Sequence, residues 1–308
     1  MPNWNELLGE IQRAGSAHDT IRRKYLAALS ERTGRNTIVY YSAFLGKTQL
    51  AQQHPEAFSI NDNDKNGFMA TIHSMDRSKG LDLVLHTPGG DVAAAESLVS
   101  YLRALFGPDL RAIVPQLAMS AGTMLACACK EIVMGLHSSL GPVDPQLGGL
   151  PAHGIVEEFK LAAKEVNEDP AKIPVWQPII GKYHPTLIGE CQKAIKWSRD
   201  LVHEWLKTGM FVNANTPGPD ERADKVLKEL GDPALTLSHS RHIDYQRAHD
   251  IGLNVTALEA DDDLQDAVLT VHHLCMQTLA DTAVIKLIEN QDGVMFAQAV
   301  AMQAPPSA

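Results

Sequence analysis

The chain has 308 residues, 44% of them apolar and 21% charged, with a formal net charge of −10. That length and apolar share allow one large domain or two ordinary ones around a real core. An acidic chain with no dense Lys/Arg stretch excludes a general nucleic-acid binder, and no apolar run approaches the ~20 residues of a membrane span.

NWNELLGEIQRA and then AHDTIRRKYLAALSER read as two helical pieces ended by Gly34. The amphipathic, acid-bearing start is neither a secretory signal nor a transit peptide, which points to a cytoplasmic address. TIVYYSAFL is β-branched and aromatic, hence a strand. SINDNDKNG at 59–67 reads as a turn into a helix around Phe68–Met75. From there the pattern is regular: GLDLVLHT a strand, DVAAAESLVSYLRALF a helix, LRAIVPQ a strand, SAGTMLACAC a helix, KEIVMG a strand. Strands alternating with helices imply parallel pairing through right-handed crossovers, and runs such as LVL and AIV fit a sheet covered on both faces.

Past Gly141 a Pro- and Gly-rich loop gives way to helices at roughly 155–168, 186–209 and 219–230. A last helix is expected over EADDDLQDAVLTVHHLCMQTLADTAVIKLIENQ, before a frayed tail. Cys127, Cys129, Cys191 and Cys275 lie in or near apolar segments and read as reduced, buried thiols. No His-Glu-x-x-His motif or Cys/His cluster calls for a metal, and no cofactor fingerprint is present.

Two turns can carry chemistry. In HTPGGDVAAAESLV (86–99) a strand ends, Pro88 fixes the chain direction, and Gly89-Gly90 precede a helix with Asp91 as its N-cap. Glycines there let backbone N–H groups approach a ligand with no Cβ in the way. One βα unit later, Ala118-Met119-Ser120-Ala121-Gly122 approximates the small-x-Ser-x-Gly elbow that presents a nucleophile at a strand-to-helix turn. In a parallel sheet both turns lie at the carboxyl ends of strands. An amide from Gly89 or Gly90, with that of Ala121, would then point at one oxygen beside the Ser120 hydroxyl.

PGGDVAAAESL followed by the SAG turn resembles the Clp-protease/crotonase superfold, and more narrowly its signal-peptide-peptidase A side. KEIVMGLHSSLGPVDP (130–145) and SHSRHIDYQRAHDIGLNV (238–255) continue the match in order. The chain is similar to the serine dehydrogenase proteinase family, Clp-fold serine proteinases that are proteolytic despite the name. The resemblance implies an α/β, Clp/crotonase-like parallel sheet over 37–256, with helical extensions at 1–36 and 257–308. It also implies a serine endopeptidase acting on peptides or unfolded proteins, and a homo-oligomer.

The general base is where this sequence departs from its relatives. The place of the Clp-protease His falls near Gly141, and that of its Asp near Ser240. Signal-peptide peptidases use a Lys after a Gly-x-aromatic turn, and in IIGKYHPTLIGE that Lys falls on His184, with Lys182 two positions earlier. His184 or Lys182 is therefore expected as the base, with His239 and His242 as alternatives and Asp144 as a possible orienting carboxylate. Two other readings stay open: a crotonase-type acyl-CoA enzyme, for which no glutamate stands out at the rim, and a catalytically inactive assembly module.

Overall fold

A computed structural model describes residues 18–215, 217–231 and 241–300. In chain order, α1 (His18–Thr33) leads into β1 (Asn36–Ser42), then the short α2 (Thr48–Gln53) and α3 (Pro55–Phe58), α4 (Asp64–Ile72) and β2 (Leu81–His86). Next come α5 (Val92–Phe106), β3 (Leu110–Val114), β4 (Leu117–Ala118), α6 (Ala121–Cys127), β5 (Glu131–Met134) and β6 (Ser139–Leu140). A small hairpin of β7 (Gln146–Leu147) and β8 (Leu150–Pro151) precedes α7 (Ala152–Glu168), α8 (Ile173–Ile180), α9 (Leu187–Trp205) and α10 (Pro219–Gly231). The chain closes with α11 (Tyr245–Ile251), β9 (Val255–Ala257), α12 (Asp262–Asp281), β10 (Val284–Asn290) and β11 (Met295–Ala299).

The main sheet has seven strands in the order β11-β10-β1-β2-β3-β5-β9. From β1 to β9 neighbours run parallel, while β10 is antiparallel to both β1 and β11. Strand periodicity sorts the buried residues into two layers. Ile38, Tyr40, Leu83, Leu85, Ala112, Val114 and Ile132 face the cluster built with α4, α5 and α6. Val39, Tyr41, Val84, Ile113 and Val133, the alternate positions, face Leu26 and Leu29 of α1 and Val268, Val271 and Cys275 of α12. The parallel α/β architecture expected from the alternating pattern is present.

Two expectations need correction or limits. The final helix stops at Asp281, and VIKLIEN is a strand, not its continuation. β-Branched residues at 284, 285 and 288 suit a strand, and β10 covers the edge that β1 would otherwise expose. The C-terminal segment is therefore part helix and part sheet rather than a helical extension. The first N-terminal helix and His239 lie outside the described residues.

Candidate active site

The elbow sits where the sequence put it. Ser120 follows β4 and opens α6 with φ 50° and ψ −116°, and it is the only non-glycine with positive φ among the described residues. Such a conformation costs of order 1–3 kcal/mol and persists only where its surroundings over-determine it. They do so from three sides.

The first side is the Gly89-Gly90 turn. Thr87 donates its N–H to Leu117 O (3.0 Å), and Met119 donates back to Thr87 O (3.1 Å), so the turn after β2 is stitched to β4. Gly89 has φ 100°, and a Cβ on it would lie 2.6 Å from Met119 O and 2.7 Å from Ser120 Cβ. No other residue could bring its backbone so near the serine. The Gly89 carbonyl accepts from Ile60 N (2.7 Å), so across the trans peptide the Gly90 N–H points away from Ile60. Among the described residues, the Gly90 and Ala121 amides donate to no protein acceptor. Asp91 caps α5 by accepting from Ala94 N (2.8 Å), as its position in the sequence indicated.

The second side is Thr123, fully buried in α6. Its hydroxyl donates to Ala118 O (2.7 Å) and accepts from Gly141 N (2.9 Å), tying the strand before the serine to the loop after β6. Sequence reading passed over this residue, since a Thr inside an Ala-rich helix carries no signal of its long-range partner.

The third side is the Gly141 loop. β4 and β6 pair in parallel, and Leu140 exchanges two 2.9 Å hydrogen bonds with Ile243. A Cβ on Gly141 would meet Ser120 N at 3.1 Å. The segment 241–244 is thus laid beside the elbow, with Asp244 capping α11 (Arg247 N donates, 2.8 Å) and His242 exposed next to Ile243. Three residues past Gly141, Asp144 Oδ1 accepts from Nδ1 of His153, in the first turn of α7, at 2.7 Å. Both side chains are largely shielded, 12% and 21% exposed. A His whose Nδ1 donates to a carboxylate keeps Nε2 free to accept a proton.

His184 and Lys182 lie in the exposed turn between α8 and α9. His184 Nδ1 accepts from the hydroxyl and, at 3.3 Å, the amide of Thr186, so it acts as a local cap at the start of α9. Neighbouring Tyr183 packs its ring on Phe159, 5.4 Å between centroids. Among the described residues, no hydrogen bond or ion pair joins His184 or Lys182 to Ser120, Gly89, Gly90, Ala121 or Asp144. Hydrogen bonds and packing thus tie together Ser120, Gly89, Gly90, Ala121 and the loop leading to Asp144, and among the described residues no hydrogen bond ties the α8–α9 turn to them.

The thiols are poorly suited to act as nucleophiles. All four cysteines are free and buried, and burial pushes Cys127, Cys129 and Cys275 up to about 12, where thiolate is scarce. Among the described residues, no group of three His, Cys, Asp or Glu side chains is arranged to hold a metal ion, and no helix is long and apolar enough to cross a membrane.

Known proteins resemble the chain in sequence over most of its length. The chain is 29% identical over 229 residues to an uncharacterized protein of Methanocaldococcus jannaschii, covering 74% of this chain and 70% of the relative. A second uncharacterized protein of that organism is 28% identical over 196 residues, 64% of this chain and 59% of the relative. A structure of a ClpP1 mutant from Listeria monocytogenes aligns with a TM-score of 0.37 and 12% identity, over 77% of this chain and 99% of that one. The sequence pattern of the ClpP-like SDH-type serine proteinases matches residues 55–292, most of the chain, and the chain belongs to that family.

Proposed function

We propose that the chain is a serine endopeptidase that cleaves extended peptides or unfolded protein segments, with Ser120 as nucleophile and the amides of Gly90 and Ala121 as oxyanion donors. The observation that carries this reading is the left-handed Ser120 packed against Gly89, with two uncommitted amides beside it. Ser120 Oγ attacks the scissile carbonyl carbon, and the carbonyl π pair moves onto oxygen, where the two N–H groups receive it. The hydroxyl proton passes to a histidine and then to the departing amine; water repeats the sequence on the acyl ester.

For the base the reading moves from His184 and Lys182 to His153, oriented by Asp144. A nucleophile is activated by a base that a third group holds in place, and His153 has such a partner on the loop that touches Ser120. No hydrogen bond joins His153 to Ser120, and contacts of this kind commonly tighten only in the substrate complex. A second reading, His242, is favoured by the Leu140–Ile243 pairing that lays its segment beside the elbow.

Fluorophosphonate labelling read by intact mass tests the nucleophile: one adduct on the wild type, none on Ser120→Ala. An unlabelled wild type, together with no cleavage of a reduced, unfolded protein, would remove the peptidase reading. The apolar side chains exposed on α7, α8 and α9, among them Leu161, Ile173, Val175 and Trp197, support assembly of several copies. Native mass spectrometry should find an oligomer; a monomer at micromolar concentration overturns that part.

A further inference from the structure

The Gly89-Gly90 turn is held by a segment that contributes no atom to the reaction. Ile60 lies alongside it, donating to Gly89 O (2.7 Å) and accepting from Asp91 N (2.9 Å). These two bonds fix the orientation of the intervening peptide. If the Gly89–Gly90 peptide turned over, a carbonyl would replace the Gly90 N–H, and the oxyanion would face a dipole of the wrong sign.

Ile60 is in turn clamped on both sides by one buried ion pair. Lys286 Nζ, from β10, donates to Ser59 O (2.7 Å) and to Asp64 Oδ1 (2.8 Å). Asp64 Oδ2 accepts from Asn61 N (3.0 Å) and from the hydroxyl of Tyr40 in β1 (2.8 Å). The residue before Ile60 is thus held by the lysine and the residue after it by the carboxylate. Their side chains are 0% and 1% exposed.

Stability alone does not account for such a pair. Two desolvated charges roughly offset their own attraction, and apolar replacements of similar volume are often neutral or stabilising. Burial pulls the Lys286 ammonium below its usual range while Asp64 opposes that pull, so the lysine charge depends on the carboxylate. What an apolar pair could not supply is the two directional hydrogen bonds, to Ser59 O and from Asn61 N, that hold the residues on either side of Ile60.

We propose that the buried Lys286–Asp64 pair is a positioning device for the oxyanion hole, fixing Ile60 so that the Gly90 N–H faces the oxygen that becomes negative. The proposal rests on Ser120 being the nucleophile of a peptidase. It also gives the C-terminal strand β10 a role in the site, although β10 itself reaches neither Ser120 nor the glycine turn.

The test pairs a tripeptide aldehyde, which forms a hemiacetal oxyanion on Ser120, with the matching tripeptide alcohol, which cannot. The variant Lys286→Met/Asp64→Leu removes both charges together, and Tyr40→Phe removes one contact to Asp64, together with one to Thr87, at little risk to folding. The expected result is a cooperative melt for both and alcohol affinity within about twofold of wild type. Aldehyde affinity and kcat should fall in parallel, by about 10- to 100-fold in the double variant, below the full loss of one oxyanion donor. In Tyr40→Phe they should fall about threefold, KM holding in both. Lys286→Arg, which keeps a buried cation, should recover part of the loss.

Aldehyde affinity and kcat unchanged in a folded variant would overturn the proposal. So would equal losses of aldehyde and alcohol binding, which mark general loosening of the site. Should the double variant fail to fold, Tyr40→Phe decides by the same ratio. A wild type that binds aldehyde no better than alcohol, and does not label at Ser120, instead refutes the peptidase reading beneath the proposal and the proposal with it.

Discussion

The rim of the sheet and the helical lobe after it solve different problems. At the rim, backbone atoms are pinned: Ser120 is held in a left-handed turn by Gly89, Thr123 and Gly141, and Gly89 is held by Ile60. In the lobe, α7 and the start of α9 share a small core of Ala152, Ile155, Val156 and Cys191. Its charged pairs, such as Lys193–Glu190 at 3.0 Å and Lys164–Glu168 at 3.9 Å, sit in solvent, where each is worth well under about 1 kcal/mol. Rigid placement, which proton transfer and oxyanion binding demand, is found at the rim and at His153, where the first helix of the lobe is hydrogen-bonded to the loop beside Ser120.

The sharpest way to break this contrast is to mutate histidines on either side of it. His153→Ala should lower kcat/KM by about 10²- to 10⁴-fold, the usual worth of a general base. His184→Ala and Lys182→Ala should stay within about twofold. Steady-state hydrolysis of a fluorogenic peptide measures all three. A large loss in His184→Ala with His153→Ala untouched would mean that the α8–α9 turn closes over Ser120 during turnover, and the lobe would be catalytic after all.

A somewhat smaller effect is expected from Gly89→Ala. Its Cβ would press on Met119 O at 2.6 Å and on the Ser120 side chain, displacing the turn that carries the Gly90 amide. Loss of one oxyanion donor costs about 10²- to 10³-fold in kcat, and the same loss is expected here with KM little changed. Normal kcat in this variant would show that the turn has room the packing does not suggest, and would detach Gly89 from the site.

Much of the rim is legible in the sequence because its signals are local. Small residues around Ser120 and a Pro-Gly-Gly turn one βα unit earlier mark both halves of the elbow, and alternating apolar strands place them on one edge. The proposed base is harder to read, because its evidence is a pairing. Yet a signal was available: QLGGLP carries a two-residue Gly-Gly turn, a known hairpin cue. Gln146 pairs with Pro151 and Leu147 with Leu150, and the same register carried outward sets Asp144 opposite His153. Reading that hairpin would have linked Asp144 to His153. Thr123, Ile60 and Lys286 gave no such cue, since their partners lie 18, 29 and 222 residues away for Gly141, Gly89 and Asp64. β10 reads as helix in the sequence for a related reason: its pairing partner β1 lies far away in the chain.

The last expected effect leaves catalysis aside and concerns stability, on the face of the sheet opposite α4 to α6. His86 ends β2, fully buried against Tyr41, Phe44 and His272, with ring centroids 5.0–5.6 Å apart. Neither ring nitrogen has a partner among the described residues. Burial lowers its pKa to about 3. The folded chain thus refuses a proton that the unfolded chain takes near its ordinary ~6.5. Above that pH the group makes no difference; as pH falls toward 3 the unfolded state gains, and stability drops by up to about 1.4 kcal/mol per pH unit from this residue. His272, also held well below its ordinary value by burial first and by His86 next, adds to the same slope. His86→Phe keeps an aromatic ring against the same neighbours and removes the proton. Denaturant unfolding at pH 7.5, 6, 5 and 4 should therefore give a visibly shallower loss of stability for His86→Phe than for wild type, the two curves drawing together above pH 7. Parallel curves would mean that the His86 ring is reached by water or a buried proton acceptor, and that this face of the sheet is less dry than the packing around Tyr41 and Phe44 indicates.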